Sequence, residues 1–484
     1  MTMLAALPLL LAFFQEEDFA RPVKSFIDVF TTVEREAADP VDSKKAFYEG
    51  ALPGMMKRLD PHSVFFDPDQ FEQLKQMQKS TSKGFGSVVS VLPGRVIVLQ
   101  TQPGSASARS GISAGDEILA VNNIRLDYLE MDQLIQVLSQ SRNSPAQLVV
   151  RRPGNARLLQ FTLTPQEMQS PAVERTFLLK PGVGYVRVGS FDEDTGKHIQ
   201  ESIEKLGGKK LRGLVLDLRN NPGGVLPEAI KTASLFLKPG QKVLSAKGRK
   251  VADQDLKAPD NNVPYEFAVS VLINSKSASA SEIVAGAVQD HDRGTVIGET
   301  SYGKGLVQNV FPLSQNTGIA LTTAYYFTPS GRSIQKTLAG TALEQTTSHA
   351  GGEYKTDAGR MVKGGGGIQP DIETQPEAMT RLRMALDASG SFPNYATEFL
   401  KQRPAPVVNE NFRARGAVMD RFRVWLSDRG IQPGLKQWSE DSDWTEFRLT
   451  QEIFNQALGV EKGEEIEAER DPAILAALRA MKVE

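Results

Sequence analysis

The sequence of 484 residues contains no cysteine and only four histidines, at positions 62, 198, 291 and 349. The absence of cysteine excludes disulfides, cysteine nucleophiles, zinc fingers and iron–sulfur clusters. So few histidines argue against a histidine-rich metal site, and a Ser-His-Asp triad would have to use one of the four. We therefore expect neither a metal ion nor another cofactor.

The sequence also lacks an excess of either charge and a long hydrophobic run. Lys and Arg number 56 against 58 for Asp and Glu, so the net charge is −2 and no nucleic-acid partner is expected. The apolar run Met3–Phe14 is too short to span a bilayer but fits the centre of a secretory signal, although no Lys or Arg precedes it. We expect residues 1–15 to direct export to the bacterial envelope, periplasm or extracellular space; the alternative is a buried N-terminal helix.

A chain of this length predicts about three domains, and its hydrophobic pattern changes along the sequence. Residues 16–80 favour helices with a turn-rich break at Leu59–Pro68, and residues 81–166 favour short alternating strands. Residues 167–375 contain continuous apolar runs typical of a parallel sheet covered on both faces, and residues 376–484 return to helical spacing. The expected fold class is multidomain α/β (α+β) with helical regions at both ends.

Ser279 is a candidate nucleophile because of its local sequence. A buried strand ends in the Ser/Ala turn Ser277–Ser281, and a helix follows. A serine at such a junction lies beside unpaired backbone N–H groups, which acyl-transfer chemistry needs for an oxyanion. Two alternatives stay open: Ser279 and Glu282 fit a capping box, and Ser277 or Ser281 could be the nucleophile instead.

Lys304 is a candidate general base. It lies between two glycines before the predicted strand Leu306–Phe311, which would place Lys304 and Gln308 on one face. A desolvated lysine amine can take a proton from a serine hydroxyl, whereas most lysines are simply solvated. His291 and Asp292 look superficially like part of a triad, but we expect both to face solvent.

Two regions carry a resemblance to known families. The loop Gly84-Phe85-Gly86 and the stretch GISAGDEILAVNN (residues 111–123) resemble a PDZ domain of the bacterial, circularly permuted type. That resemblance implies that backbone N–H groups of residues 84–86 bind a peptide's terminal carboxylate and that the peptide adds as a strand.

Residues 55–375 resemble the carboxyl-terminal processing peptidases, or tail-specific proteases, which use a Ser/Lys dyad on a crotonase-like α/β core. The strings that carry this resemblance are LRGLVLDLRNNPGG (211–224), SASASEI (277–283), GETSYGKGLVQ (298–308), TPSGRSIQ (328–335) and GGGGIQPDI (364–372). The resemblance implies a nucleophile at Ser279, a base at Lys304 and an orienting glutamine at Gln308. It implies an oxyanion hole from Ala280 with Gly223 or Gly224, although residues 221–224 could equally form an ordinary tight turn.

The expected function is therefore that of an exported serine endopeptidase that captures unfolded or tagged protein C-termini. Arg151 or Arg152 could couple peptide binding to the dyad, and the helical flanks could mediate dimerisation or adaptor binding. The alternatives are a catalytically inactive PDZ scaffold and a crotonase-like acyl-CoA enzyme.

Overall fold

The computed structural model describes residues 6–483 except 79–80, 93, 103, 143, 153–154, 156, 170, 251–252, 349–350 and 403–405. The chain forms two compact units. The first consists of the chain up to Phe71 with Gln308–Thr322 and Leu338–Glu344, and the second contains the remaining residues. No helix among the described residues has the length and apolar character needed to cross a membrane.

The first unit is mainly helical, as expected, but its turn-rich break contains a strand. Asp60 fixes the turn there by accepting the backbone N–H groups of His62 and Ser63 at 2.8 and 2.9 Å. The next three residues pair antiparallel with residues 318–320, because β-branched and aromatic side chains suit a half-buried strand. The elements that begin in this unit are α1 (Ala6–Glu36), α2 (Ser43–Lys45), a π-helical segment (Ala46–Ala51), α3 (Leu52–Leu59), β1 (Val64–Phe66) and α4 (Pro68–Gln78).

The second unit begins with a small β-rich module. Its main sheet has the order β3-β4-β5-β7-β8, so β3 lies at an edge of the described sheet, and β2 pairs separately with β9. Short strands make up most of the module, as predicted, and two helices, α5 and α6, accompany them. The elements are β2 (Thr81–Gly84), β3 (Ser87–Leu92), β4 (Arg95–Thr101), α5 (Ala106–Ser110), β5 (Glu117–Val121), β6 (Ile124–Arg125), α6 (Met131–Ser141), β7 (Ala146–Arg151), β8 (Leu159–Leu163) and β9 (Gln166–Gln169).

The central part of the chain builds a six-stranded sheet of order β10-β11-β12-β15-β16-β21. Its strands from β11 onward are parallel, as the continuous apolar runs predicted, and only β10 is antiparallel. The elements are β10 (Val173–Lys180), β11 (Val183–Val188), α7 (Thr195–Leu206), β12 (Gly213–Asp217), α8 (Leu226–Ser234), β13 (Lys242–Lys247), β14 (Gln254–Lys257), β15 (Ala268–Ile273), α9 (Ala280–Asp290), β16 (Thr295–Gly298), β17 (Leu306–Pro312), β18 (Gly318–Phe327), α10 (Glu344–Ser348), β19 (Gly352–Lys355), β20 (Met361–Gly364) and β21 (Ile372–Glu373).

Helices cover both faces of this sheet. Alternate strand residues point to opposite faces, so Leu214 and Leu216 join one core with α7, α8 and α9, while Val215 joins another. That second core contains Ile474 and Ala477 from the C-terminal end of the chain. The carboxyl ends of the paired parallel strands β12 and β15 thus lie side by side at one edge of a sheet that is buried on both faces.

The C-terminal region is helical, as expected. Phe392, Tyr395, Phe422 and Trp444 form the aromatic centre of its own core, and Leu426 is buried with them. The helices are α11 (Arg381–Ala388), α12 (Ser391–Leu400), α13 (Ala417–Ser427), α14 (Leu435–Ala457), α15 (Val460–Ala468) and α16 (Pro472–Ala480).

Candidate active site

Ser279 lies at the turn between β15 and α9 in a backbone conformation that is unusual for a helix cap. Its φ of 54° and ψ of −111° place a non-glycine residue at positive φ, whereas a helix N-cap normally has an extended backbone. Such a conformation costs about 1–3 kcal/mol and persists only where the surrounding structure imposes it. The side chain is half-buried, and the capping box that the sequence predicted between Ser279 and Glu282 is present. Capping alone therefore does not explain this serine.

The two neighbouring serines are engaged in structural hydrogen bonds. Ser277 and Ser281 are both fully buried. The hydroxyl of Ser277 donates to Leu218 O at 2.7 Å, and the hydroxyl of Ser281 donates to Asn221 O at 3.0 Å. Both bonds fasten the turn to the chain that leaves β12. These contacts disfavour either residue as the nucleophile.

Glu282 connects the serine turn with the lysine loop. Its carboxylate is fully buried and accepts four hydrogen bonds. Oε2 accepts the backbone N–H groups of Ser279 at 2.8 Å and Lys304 at 2.9 Å. Oε1 accepts the Ser301 hydroxyl at 2.6 Å and the Gly303 N–H at 2.7 Å. The sequence pattern predicted only the contact with Ser279.

Burial dominates the electrostatics of this carboxylate. Removal from water raises the pKa of Glu282, and its hydrogen bonds from Ser301, Lys304, Gly303 and Ser279 oppose that rise. Nearby, burial and the charge of Glu282 raise the pKa of the Tyr326 hydroxyl well above its ordinary value. Because all four partners of Glu282 are donors, its ionised form matches the site in hydrogen-bonding terms.

Lys304 lies in a loop and does not open the strand. β17 begins at Leu306, so strand alternation does not determine the direction of Lys304, and that part of the prediction was wrong. The loop is fixed instead by its backbone: Gly305 N–H donates to the side chain of Gln335 at 2.8 Å, and Lys336 N–H donates to Gly303 O at 3.1 Å. Gln335 lies in the string TPSGRSIQ, but no local signal indicated its partner.

The glycines after β12 lie against the serine turn. A Cβ atom on Gly223 would be 2.8 Å from Ser279 Cβ and 2.9 Å from Ala280 N. Gly223 has φ +97°, and its N–H donates to the side chain of Asn221 at 2.8 Å. Gly224 has φ +152°, and a Cβ there would be 1.8 Å from Phe191 O. Both positions therefore require glycine, and the three residues predicted for the oxyanion hole belong to adjoining turns.

Gln308 and His291, the two other candidates for a catalytic role, each bind other groups. Gln308 belongs to the first unit, where its side-chain amide donates to His62 O. The expectation that His291 faces solvent was wrong, since only 8% of its side chain is exposed. Its ring contacts Asp357 through Nδ1 and Lys242 O through Nε2, both at 2.7 Å. These bonds occupy both ring nitrogens of His291 away from the serine turn.

The loop predicted to bind a carboxylate connects β2 to β3. Gly84 ends β2, Phe85 O accepts the N–H of Ser107 at 2.9 Å, and Gly86 has φ +79°. A Cβ on Gly86 would be 2.2 Å from Ser105 Cβ, so this position also requires glycine.

The two arginines considered for coupling are bound within the same module. Arg151 binds Glu117 at 2.6 Å, and Arg152 binds Asp116 at 2.7 Å. Because each arginine already has a carboxylate partner in the module, the structure lends no support to coupling through Arg151 or Arg152.

Comparison with known proteins shows the family to which the chain belongs. A model described as peptidase family S41 matches residues 182–374, and a PDZ domain model matches residues 97–152. The carboxy-terminal-processing protease of Bartonella bacilliformis is 34% identical over 325 residues, which are 66% of this chain and 74% of the relative. The chain belongs to the carboxy-terminal processing protease family.

Two further proteins also match most of this chain. The chloroplastic carboxyl-terminal-processing peptidase 2 of Arabidopsis thaliana is 32% identical over 312 residues, which are 62% of this chain and 60% of that relative. A solved photosystem II D1 C-terminal processing protease is 26% identical, with 79% of this chain and 92% of that chain covered and a TM-score of 0.41. Membership of the family makes this chain a serine-type protease with a PDZ domain, and nothing favours the inactive scaffold.

Proposed function

We propose that this protease cleaves unfolded or tagged proteins near their C-termini, with Ser279 as nucleophile and Lys304 as general base. The observation that carries this assignment is the shared acceptor Glu282 Oε2, which brings the backbone nitrogens of Ser279 and Lys304 within two hydrogen-bond lengths of each other. The rival serines are engaged in structural bonds, and His291 is occupied elsewhere.

The reaction needs only a hydroxyl and an uncharged amine. Ser279 Oγ attacks the scissile carbonyl carbon while its proton passes to Lys304 Nζ. The resulting oxyanion accepts hydrogen bonds from the backbone N–H groups of Ala280 and Gly224. We assign Gly224 rather than Gly223 because the Gly223 N–H already donates to Asn221.

Two transfers complete the cycle. The tetrahedral intermediate collapses, the C–N bond breaks, and Lys304 returns its proton to the leaving amine, which leaves an ester on Ser279. Water then attacks the ester as Lys304 takes the water's proton, and Ser279 leaves with that proton. The sum is hydrolysis of one peptide bond.

The PDZ domain supplies the preference for chain ends. The edge position of β3 leaves room for a substrate strand beside it, and main-chain pairing at a sheet edge is a general mode of peptide recognition. Phe85, Val89 and Val137 lie partly buried against the core of this domain, so we propose that it prefers an apolar last residue. The terminal carboxylate would bind backbone N–H groups of residues 84–86.

Cleavage of unfolded casein tests the dyad. Ser279→Ala and Lys304→Ala should each abolish turnover, whereas Ser275→Ala and Lys276→Ala, on the exposed part of the same turn, should retain it. Retained turnover in Ser279→Ala would refute the assignment. No cleavage by the intact protein would favour a scaffold, or an acyl-CoA enzyme if the protein instead hydrolysed a thioester.

Peptide binding tests the PDZ assignment separately. A peptide with apolar last residues should bind with a free carboxylate and lose affinity when amidated. Gly86→Ala should weaken binding because its Cβ meets Ser105, whereas Gly104→Ala, also at positive φ but facing open space, should not. Equal binding of the free and amidated peptides would refute carboxylate recognition.

A further inference from the structure

The C-terminal helix α16 begins beside the segment that follows β12. This segment leads into residues 220–224, which we call the oxyanion loop. Arg219 follows β12, and its guanidinium donates to Asp217 Oδ2 at 2.6 Å and to Asp471 Oδ2 at 2.7 Å. Asp217 is fully buried and also accepts the Tyr185 hydroxyl at 2.7 Å. Arg219 thus joins the end of a central strand to residue 471, which lies outside the residues 182–374 that match the peptidase family model.

Asp471 has two separate tasks, one for each carboxylate oxygen. Oδ1 caps α16 by accepting the backbone N–H groups of Ala473 and Ile474 at 2.8 and 3.1 Å. Oδ2 binds Arg219. Only 14% of the Asp471 side chain is exposed, so the ion pair is better shielded from water than a surface pair, which contributes little.

The segment after Arg219 is tied directly to the serine turn. Asn220 N–H donates to the Asn274 side chain at 2.9 Å, and Asn221 O accepts the N–H of Ala278 at 3.0 Å. The Asn221 side chain in turn accepts the Gly223 N–H. A displacement of Arg219 would therefore pass through residues 220 and 221 to the glycines beside Ala280.

We infer that Asp471 is a positioning residue for catalysis, which holds the oxyanion loop through Arg219 and makes the C-terminal helix part of the catalytic domain. This inference rests on the proposed function, because that function assigns Gly224, three residues after Asn221, to the oxyanion hole. The apolar contacts of Ile474 and Ala477 with the sheet keep α16 in place whatever the side chain at 471. Loss of the charge should hence disturb the loop and leave the fold intact.

Two variants separate the tasks of Asp471. Asp471→Asn and Asp471→Ser both retain a good helix N-cap but remove the charged partner of Arg219. We expect kcat for casein to fall about tenfold, with KM changed less than about twofold, because an interaction made in the transition state is lost. A peptide boronic acid, whose tetrahedral adduct mimics the oxyanion, should lose affinity in parallel, whereas the PDZ peptide should bind unchanged.

Glu469→Gln is the matched control. Glu469 lies two residues before Asp471 in the sequence, but it forms an ion pair with Arg413 at 2.9 Å instead of with Arg219. Unchanged kcat in both Asp471 variants, or an equal loss in Glu469→Gln, would overturn the inference.

Hydrogen exchange of residues 219–225 provides a readout that needs no turnover. Exchange there should be faster in Asp471→Asn than in the unaltered protein and in Glu469→Gln. If the intact protein fails to cleave casein, the proposed function fails, and the contact is still judged by this exchange. Equal exchange in all three proteins would refute the positioning role.

Discussion

The backbone N–H groups of Ser279 and Lys304, which lie in separate loops, donate to the same carboxylate oxygen of Glu282. The chain thereby fixes the relative position of two loops through one buried acceptor. A carboxylate is suited to this task because it accepts several hydrogen bonds and donates none when ionised. The proposed nucleophile and the proposed base thus depend on a third residue, whose side chain takes no part in the proposed proton transfer.

Glu282→Gln should disrupt this arrangement while keeping the side chain's shape. Each oxygen of Glu282 accepts two hydrogen bonds. In the glutamine variant an NH2 group replaces one of these oxygens, so two of the four donors would face another donor. We expect kcat for casein to fall about 100-fold, since small displacements of catalytic groups have effects of that size. Stability should fall by about 1–3 kcal/mol because buried donors lose their acceptor. Turnover assays and chemical denaturation measure the two effects.

Glu228→Gln is the control for this variant. Glu228 is also a buried glutamate of the same core, and it accepts the Gly196 N–H at 2.9 Å away from the serine turn. It should lose stability without a comparable loss of kcat. A Glu282→Gln protein with full activity would contradict the role that we give to Glu282.

Gly223→Ala should inactivate the protease because a Cβ would collide with the serine turn. The expected loss of kcat is about 100-fold or more, the usual effect of spoiling an oxyanion hole. Gly331→Ala separates collision from backbone strain, since Gly331 has φ +87° but faces open space. It should lower the thermal midpoint and leave kcat nearly unchanged. Equal loss of activity in both variants would show that strain alone is responsible.

Glu117 should stabilise the PDZ domain in a pH-dependent way. It binds Arg95 at 2.9 Å and Arg151 at 2.6 Å. Burial acts to raise the pKa of Glu117, but the two arginines outweigh it and the pKa is lowered. The ionised form therefore adds stability above the ordinary glutamate pKa of about 4.3, and this stability is lost as the pH falls through the lowered folded value.

Glu117→Gln tests that sign. At pH 7 we expect amides of β5 and β7 to exchange about fivefold to thirtyfold faster than in the unaltered protein, which corresponds to about 1–2 kcal/mol. The difference should shrink below about pH 4, where glutamate itself becomes protonated. Asp127→Asn removes an exposed ion pair with Arg125 and should leave the amide exchange of β5 and β7 unchanged. A difference that persists undiminished in acid would contradict the electrostatic explanation.

Local patterns predicted much of the fold, including the strand–turn–helix that contains the proposed nucleophile. Continuous apolar runs identified parallel strands such as Leu214–Leu218, because strands buried on both faces need apolar side chains throughout. The strand–turn–helix at Ser279 was readable because all its signals lie within a few residues. Helix α5 was missed because five residues are too few to show a helical period.

Contacts between distant segments were not predictable in the same way. The partners of Glu282 in the lysine loop lie about 20 positions away, and Arg219 and Asp471 are 252 positions apart. His291 appeared solvent-exposed in the sequence because its partner Asp357 is 66 positions away. β17 begins at Leu306 as predicted, but strand alternation was wrongly extended to Lys304, which lies in the glycine loop before the strand. The orienting role of Gln308, export through residues 1–15, and dimerisation or adaptor binding stay predictions.

The absence of cysteine permits a direct test of the base, because Lys304→Cys introduces the only thiol in the chain. Alkylation of that thiol with bromoethylamine restores an amine at nearly the original distance from the backbone. We predict that the Lys304→Cys protein does not cleave casein, that alkylation restores cleavage, and that Ser279→Ala blocks this recovery. Cleavage by the unalkylated variant, or complete alkylation without any recovery, would contradict a Ser/Lys mechanism.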